Sequence, residues 1–306
     1  MKSETIKPKQ LQQGGTIGIL AVSGRIKDFQ RIEYASEYFK KLGYKTVISS
    51  TCRTSHRYSA GISDEDCIEE FHKFFSDKSI DAVICARGGF GALKLIDKID
   101  WNIVKNNPKI FAGYSDITIL LAMIYKKTGL ITFHAPMASG DFGAENEIEN
   151  YTADSFFSTL KGCASIIKAD NLKVYNKGAA SGILWGGNLA SLASMCGRDF
   201  APDEDIVLFL EDVNEPVYKI DRMLAQIFSA GNIKNNVKGI AIGAFTNSDD
   251  NSMLDEVISE YASCLNLPAA GGFKISHGKI KDTVPYCVQA CFNASLGTIS
   301  FGKYTC

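Results

Sequence analysis

The stretch SDEDCIEEFHKFFSDKSIDAVICARGGFG, residues 63–91, contains one complete helix-to-strand unit. Ser63 precedes three acidic residues, which is typical of a helix start because the hydroxyl caps main-chain amides and the acids favour the positive end of the helix dipole. The apolar run IDAVICA, 80–86, predicts a buried strand, and the glycines after it predict a tight turn. This order indicates a βαβ unit of a mostly parallel sheet.

The same alternation continues on both sides of this stretch. Four further short apolar runs predict strands: TIGILAV (16–22), YKTVIS (44–49), KIFAGYS (109–115) and LITFHAP (130–136). Between them lie two amphipathic helical stretches, FQRIEYASEYFKKLG (29–43) and ITILLAMIYKKTG (117–129), each ending in a glycine that suits a helix C-terminus. We therefore predict a Rossmann-like, mostly parallel domain over residues 1–165.

The second half of the chain predicts a different mixture of elements. After a loosely patterned linker, predicted at 166–178, strands and helices alternate again: DIVLFLED (205–212), PVYKIDRMLAQIFSAG (216–231), VKGIAIGAF (237–245) and MLDEVISEYASCLN (253–266). The final run, TVPYCVQACFNASLGTISFG (283–302), is rich in β-formers. Residues 179–306 are thus predicted to form an α/β domain with more antiparallel strand.

Composition narrows the classes of function. The 306 residues are enough for about two domains, and 45% apolar with 22% charged residues is ordinary for a globular chain. A net charge of -1 disfavours a nucleic-acid partner, which would require a basic face. The start MKSETIKPKQ lacks a signal-peptide core, and no apolar run approaches the ~18 residues of a membrane span, so we predict a cytoplasmic protein without a membrane partner.

The nine cysteines lie scattered through apolar segments, which predicts buried reduced thiols and no disulfide framework. Cys287 and Cys291 form a CxxxC pair, but no second pair or nearby histidine stands at ligand spacing. We predict neither a metal site nor a cofactor.

Ligands of open α/β sheets bind at the carboxyl ends of strands, so the residues just past each apolar run are the most informative. After the strand at 80–86, Gly88, Gly89 and Gly91 allow close approach of a ligand and present amide N–H groups to it. The segment fits neither the GxGxxG pattern nor the P-loop. A functional loop and a plain glycine-rich turn both remain open.

Ser115 lies in a GYSD turn after the next strand. The turn resembles the GxSxG nucleophile elbow without matching it, and the N–H of Asp116 would then help to bind an oxyanion. The alternative is a helix N-cap, since serine is a favoured cap and a helix follows at once. On local sequence alone, the cap is the better interpretation.

A nucleophilic serine needs a base and an orienting acceptor. The chain has only four histidines: His56, His72, His134 and His277. The first two fit surface positions, His134 ends a predicted strand, and His277 lies in GGFKISHGK, a glycine-flanked loop without apolar periodicity that suits a residue held for its chemistry. Glu211 and Asp212 end the apolar strand of the second domain and are the best candidates for the acceptor, although a helix N-terminal role is the alternative.

Taken in order along nearly the whole chain, the segments resemble the LD-carboxypeptidase family. The similar segments are GILAVSG, YSAGISDEDCIEEFHKFFSDKSIDAVICARGGFGALKLIDKIDW, FAGYSDITIL, TFHAPM, GILWGGNLASLASMCGRDF, LFLEDVNEPVYKIDRMLAQIFSAG and GFKISHGK. The resemblance implies a serine peptidase that removes the terminal D-alanine of murein tetrapeptides in peptidoglycan recycling, through an acyl-enzyme. It further implies a homodimer and an active site between the two domains.

The family's catalytic positions fall on Ser115, Glu211 and His277, and its oxyanion hole falls on the amides of Gly89 and Asp116. For the substrate's carboxylates we add three expected contacts on chemical grounds, because a guanidinium binds a carboxylate through two hydrogen bonds and a glycine exposes its main chain: Arg87, Gly88 and Arg222. Arg222 alternatively takes part in an ion pair on its helix.

The chain departs from the family pattern at three places. It has HAPM at 134–137 where HGPM is common, Cys287 where a glycine is usual and Asn293 where an aspartate is usual. These departures concern the substrate pocket and not the triad. The substrate therefore stays open between a murein tetrapeptide and an aminoacyl-nucleotide amide of the microcin C immunity type, for which Trp185 is either a stacking group or a core residue. A non-catalytic binding protein is the third hypothesis.

Overall fold

The computed structural model describes residues 4–144 and 148–306. Contacts divide the chain into two compact units. The N-terminal unit comprises Met1–Cys163, Thr283–Pro285 and Tyr304–Cys306, and the C-terminal unit comprises Ala164–Asp282 and Tyr286–Lys303. The last segments of the chain therefore alternate between the two units, which no local sequence pattern indicates.

The N-terminal unit is built on a six-stranded sheet. Its strands are β1 (Thr16–Leu20), β2 (Lys45–Ile48), β5 (Ala82–Cys85), β6 (Ile110–Gly113), β7 (Thr132–His134) and β14 (Val284–Tyr286), and a small hairpin adds β3 (Ser55–His56) and β4 (Ser59–Ala60). The helices are α1 (Gln30–Lys41), α2 (Asp64–Ser76), α3 (Ala92–Leu95), α4 (Trp101–Asn106), α5 (Thr118–Thr128), α6 (Ala138–Asp141) and α7 (Asn150–Leu160). The strand order is β14-β7-β6-β5-β1-β2, and the pairs from β7 to β2 are parallel.

The local signals read from the sequence act as predicted. Ser63 caps α2 by accepting a hydrogen bond from the Asp66 amide, and Gly129 ends α5 in the left-handed conformation. Every residue of β5 and β6 is buried, as expected for central parallel strands covered on both faces. The parallel order brings the carboxyl ends of β1, β5, β6 and β7 to one edge of the sheet.

The C-terminal unit is built on an eight-stranded mixed sheet. Its strands are β8 (Ile166–Lys168), β9 (Lys173–Asn176), β10 (Ala179–Asn188), β11 (Ile206–Val213), β12 (Val237–Thr246), β13 (Ala269–Gly271), β15 (Gln289–Asn293) and β16 (Thr298–Phe301). Its helices are α8 (Leu189–Ser194), α9 (Val217–Ser229), α10 (Gly231–Asn236) and α11 (Asn251–Cys264). The order is β8-β16-β15-β10-β11-β12-β13-β9, with β10 to β13 parallel and the flanking pairs antiparallel.

This architecture confirms the predicted α/β class, with a mostly parallel first sheet and a second sheet that contains more antiparallel pairing. The segment 166–178, which the sequence predicts as a linker, contains β8 and β9, the two edge strands of the second sheet. Within the described ranges, none of the helices combines the length and the apolar character needed to cross a bilayer.

All nine cysteines are free thiols, but the prediction that they are buried is wrong for several of them. Cys52, Cys67, Cys85 and Cys287 are buried, whereas four others are exposed: Cys163, Cys264, Cys291 and Cys306. Apolar neighbours in sequence did not predict the exposure of Cys291, because alternate residues of β15 point to opposite faces of the sheet and Cys291 lies on the exposed one.

Candidate active site

Ser115 lies in a strained turn at the carboxyl end of β6. A single 3-10 turn, Ser115–Ile117, connects β6 to α5, and Ser115 has a φ of 62°, in the left-handed region that non-glycine residues rarely adopt. The N-cap position of α5 is Ile117, so Ser115 is not its cap residue. Its side chain is half-buried. Strained serines of this kind, between strand and helix, are typical of nucleophile elbows.

The glycine-rich loop after β5 packs directly against this turn. A Cβ added to Gly88 would lie 2.7 Å from the Ser115 Cβ and 2.8 Å from its Oγ, and 3.4 Å from the Asp116 amide nitrogen. The main chain of Gly88 can therefore approach the serine only because it carries no side chain. Gly89 has a φ of 117°, a conformation that also favours glycine. Glycine at position 88 is thus required by the close packing of this loop on Ser115.

Two main-chain amides are candidates for binding an oxyanion. The Asp116 amide follows the serine directly, and the Gly89 amide comes from the glycine-rich loop. Among the described residues, the Gly89 amide makes no hydrogen bond. The loop of Gly89 reaches Ser115 through its neighbour Gly88, and main-chain N–H groups beside a nucleophile are suited to stabilise an oxyanion.

The carboxylate of Asp116 connects three loops and was not anticipated from the sequence. Its Oδ2 accepts hydrogen bonds from the Ser23 hydroxyl at 2.6 Å and from the Ala92 amide at 2.9 Å. The residue is only 6% exposed, and burial raises the pKa of its carboxyl group, while these donors and the Gly91 amide lower it. No local sequence pattern indicates this contact, because Ser23 lies 93 positions from Asp116.

Arg87 makes a main-chain contact in the same unit. Its Nη1 donates a hydrogen bond to the Arg25 carbonyl oxygen at 3.0 Å, and its Nε would be 3.2 Å from a Cβ on Gly24. The guanidinium therefore packs against the loop after β1. Its predicted role toward a substrate carboxylate stays a prediction.

In the C-terminal unit, the side chains of Glu211 and His277 form a short hydrogen bond. Glu211, near the end of β11, is fully buried, and its Oε2 lies 2.6 Å from Nδ1 of His277. The histidine side chain is 15% exposed. A carboxylate on Nδ1 fixes which imidazole nitrogen carries the proton and directs Nε2 toward proton transfer.

An irregularity in β12 holds the loop that carries His277. Between Leu210 and Asp212 of β11 the pairing with β12 skips one extra residue of β12, which is a β-bulge. At this place the Ala244 amide donates to the Ile275 carbonyl oxygen at 2.9 Å. A second hydrogen bond closes the loop across its two ends, where the Asp282 amide donates to the Lys274 carbonyl oxygen at 2.7 Å. His277 is thereby anchored on both sides beside Glu211.

Asp212, the alternative acceptor, has a different role. Its carboxylate accepts hydrogen bonds from the Asn188 side-chain amide and from the amides of Ala190 and Val213, each at 2.8 Å. Burial is the main cause that raises its pKa to about 6. Asp212 therefore ties β10 and the start of α8 to β11, and Glu211 is the carboxylate that contacts the histidine.

The remaining candidate residues contact neither Ser115 and its loops nor the Glu211–His277 pair in any hydrogen bond described above. Arg222 is exposed on α9, and no ion pair with another described residue supports its alternative role. His134 is buried against the Tyr114 ring, His72 accepts a hydrogen bond from the Asp100 amide, and His56 is exposed in β3. Trp185 is fully buried and packs on Phe200, as a core residue does. Across residues 4–144 and 148–306 no three metal-binding side chains converge.

Comparison with known proteins bears on both units. The protein-family model described as the LD-carboxypeptidase N-terminal domain matches residues 17–135. The family model described as the LD-carboxypeptidase C-terminal domain matches residues 181–292. A probable murein peptide carboxypeptidase of Bacillus subtilis (strain 168) is 34% identical over 298 residues, which cover 94% of this chain and 92% of the relative.

Two solved structures are similar over almost the whole chain. A muramoyltetrapeptide carboxypeptidase from Oxalobacter formigenes is 26% identical with a TM-score of 0.83, covering 95% of this chain and 100% of that one. The microcin C7 self-immunity protein MccF in complex with aspartyl sulfamoyl adenosine is 25% identical with a TM-score of 0.89, covering 98% and 100%. This chain belongs to the LD-carboxypeptidase family and is a serine-type carboxypeptidase.

Proposed function

We propose that the protein hydrolyses the L,D-peptide bond of murein tetrapeptides and releases the terminal D-alanine, with Ser115, His277 and Glu211 as its catalytic triad. The observation that carries this proposal is the 2.6 Å contact between Glu211 and His277 Nδ1, made by a fully buried carboxylate. The strained turn of Ser115 beside a glycine-rich loop supports it. The proposed triad takes its nucleophile from the N-terminal unit and its base and acid from the C-terminal unit.

In the first half of the proposed reaction, Ser115 Oγ attacks the carbonyl carbon of the scissile bond while His277 Nε2 accepts the hydroxyl proton. The buried Glu211 carboxylate keeps the remaining proton on Nδ1 and stabilises the imidazolium that forms. The carbonyl oxygen becomes negatively charged and accepts hydrogen bonds from the amides of Gly89 and Asp116. Losing one such donor typically costs about 100-fold or more in kcat.

In the second half, the tetrahedral intermediate collapses and the carbon–nitrogen bond breaks. His277 donates its proton to the leaving amine, so D-alanine departs and the peptide remains as an ester of Ser115. A water molecule then attacks the ester, His277 accepts its proton, and collapse of the second intermediate returns that proton to Ser115 Oγ. No metal takes part in this scheme.

The relatives of the chain favour a murein substrate. The Bacillus and Oxalobacter relatives are described as a murein peptide and a muramoyltetrapeptide carboxypeptidase. A murein tetrapeptide also carries several carboxylates, and we propose that Arg87, the Gly88 main chain and Arg222 bind it. A role in peptidoglycan recycling, a cytoplasmic location and a homodimeric enzyme complete the proposal.

The first experiment measures D-alanine release from a purified murein tetrapeptide. We expect turnover that EDTA does not reduce, and we expect Ser115→Ala to abolish turnover while substrate binding stays measurable by calorimetry. Ser300→Ala, at an exposed serine of β16, is the matched control and retains full activity. Loss of turnover on EDTA treatment, or full turnover by Ser115→Ala, contradicts the serine mechanism.

A second candidate is an amidase of the microcin immunity type, favoured by the similarity to MccF solved with aspartyl sulfamoyl adenosine. Burial of Trp185 against Phe200 gives this chain no stacking surface at that residue. A side-by-side measurement of kcat/KM on the tetrapeptide and on aspartyl sulfamoyl adenosine decides between the two. Absence of turnover on both, with binding retained, leaves the non-catalytic hypothesis.

A further inference from the structure

We infer that the side chain of Asp116 is a positioning group that holds the oxyanion-binding loop in place beside Ser115. This inference rests on the proposed function, in which the amides of Gly89 and Asp116 bind the oxyanion. It assigns a separate task to the side-chain carboxylate of Asp116, which binds the neighbouring loops and not the oxyanion.

The carboxylate joins three loops that follow neighbouring strands. Asp116 itself comes after β6, Ser23 comes after β1, and Ala92 closes the glycine-rich loop after β5. One oxygen, Oδ2, accepts from both the Ser23 hydroxyl at 2.6 Å and the Ala92 amide at 2.9 Å. Because β6, β5 and β1 are adjacent in the sheet, one side chain reaches all three loops.

The loops that this carboxylate ties together are themselves in close main-chain contact. The Gly24 amide donates to the Gly88 carbonyl oxygen at 2.9 Å, and a Cβ on Gly89 would lie 2.9 Å from the Gly24 Cα. A Cβ on Gly91 would lie 3.1 Å from the Ser23 Cα. The glycine-rich loop therefore rests on the loop after β1, and the Ser23 contact to Asp116 fixes that support.

The consequence for catalysis concerns the direction of the Gly89 amide. A loop with this many glycines has many accessible conformations, so its amide needs external contacts to keep one direction. Stabilisation of an oxyanion depends on donors that are already in place before charge develops. Removing the carboxylate is thus expected to affect the transition state more than the bound substrate, which means kcat falls and KM changes little.

The burial of Asp116 fits this task. At 6% exposure the carboxylate is stabilised by internal donors, and burial raises the pKa of the group. An asparagine at this position retains one oxygen that accepts from Ser23 and Ala92, whereas an alanine retains none. The two substitutions therefore separate the hydrogen bonds, which asparagine retains, from the negative charge, which both substitutions remove.

The test compares Asp116→Ala, Asp116→Asn and Ser23→Ala with Asp81→Ala as the control. The Asp81 carboxylate also accepts a hydrogen bond from a main-chain amide, the amide of Thr16 at 2.7 Å. This contact lies at the amino ends of the same parallel strands, opposite the ends that carry Ser23 and Asp116. We expect Asp116→Ala to lower kcat about 100-fold with KM within about twofold, by loss of amide alignment. Asp116→Asn restores most of the rate, Ser23→Ala shows an intermediate loss, and Asp81→Ala retains the wild-type kcat.

A second readout makes the test independent of the murein substrate. A fluorophosphonate probe forms a bond from its phosphorus to Ser115 Oγ, with fluoride leaving and the serine proton passing to His277, and its rate also depends on oxyanion stabilisation. We expect the labelling rates of the variants to follow their kcat values, and we expect their melting temperatures to match that of wild type. A wild-type protein that is labelled at Ser115 but releases no D-alanine contradicts only the proposed substrate.

Two results overturn the inference itself. One is an Asp116→Ala enzyme that is folded and has kcat and labelling rate within twofold of wild type. The other is an equal loss in Asp81→Ala, which would make the effect one of general stability. A wild-type protein that is not labelled at Ser115 overturns both the inference and the nucleophile on which it rests.

Discussion

Replacing Gly88 by alanine tests the geometry around the nucleophile most directly. The new Cβ would lie 2.7 Å from the Ser115 Cβ and 2.8 Å from its Oγ, in a place where ordinary contacts begin at 3.4 Å. The two main chains would have to separate by about 0.7 Å, the difference between 3.4 and 2.7 Å, since a packed interior has no spare volume to absorb the methyl group.

The expected magnitude follows from this displacement. A misplacement of about 1 Å in a catalytic constellation costs about 100-fold in rate, so we expect Gly88→Ala to lower kcat by about 10- to 100-fold. The extra methyl group also overpacks the loop, which typically costs about 1–3 kcal/mol in free energy of unfolding. Because domains are typically stable by about 5–15 kcal/mol, we expect Gly88→Ala to stay folded, so that the loss of rate is a property of the folded enzyme.

The assay measures D-alanine release at saturating substrate, together with the fluorophosphonate labelling rate and the thermal unfolding of each variant. Gly302→Ala is the matched control, because nothing lies within 4 Å of a Cβ at that position and its backbone is not left-handed. We expect it to match wild type in all three measurements. A folded Gly88→Ala enzyme with kcat within twofold of wild type would refute the close approach of Gly88 to Ser115.

Two further predictions concern the carboxylates at the end of β11. Glu211→Gln is expected to lower kcat by about 10⁴-fold, or about 5 kcal/mol in activation free energy, because an amide no longer holds the proton on His277 Nδ1; a stopped assay of D-alanine release checks this, and a loss below tenfold contradicts the triad. Asp212→Asn tests pH dependence, since the folded-state pKa of Asp212 is raised to about 6 from 3.8. A raised pKa contributes stability that is fully present below pH 3.8 and is lost as the pH rises through 6, so wild type loses about 2 kcal/mol relative to Asp212→Asn between pH 4 and 7. Urea unfolding of both proteins across this range measures the difference, and a difference that does not change with pH contradicts the shift.

Much of the N-terminal unit could be predicted from local signals. Ser63 as a cap, Gly129 as a helix end and the apolar runs of β5 and β6 all act through neighbours in sequence or through burial on both faces. The edge strands β8 and β9 escaped prediction because a short edge strand buries little surface and carries no strong apolar pattern. The exposure of Cys291 escaped prediction for another reason: alternate residues of β15 face opposite sides of the sheet, and Cys291 lies on the exposed side.

The candidate site divides in the same way. The glycine-flanked loop of His277 and the carboxylates after an apolar strand singled out these residues, but the choice of Glu211 over Asp212 came from the family resemblance. In the structure, the bulge of β12 and the Ile275 carbonyl anchor hold the histidine beside Glu211, while Asp212 binds main-chain and side-chain amides. Sequence spacing contains no information on such a bulge, because it depends on the register of two strands.

The sequence by itself determined the α/β class, the candidate residues and, through the ordered series of similar segments, the family. Those features depend on periodicity and on residue type, which are properties of the sequence itself. Only the tertiary structure decided that Gly88 approaches Ser115 too closely for any side chain, and that the Asp116 carboxylate binds Ser23, 93 positions away. Contacts of this kind arise when parallel strands bring their carboxyl ends to one edge, and no local pattern specifies which side chains then meet.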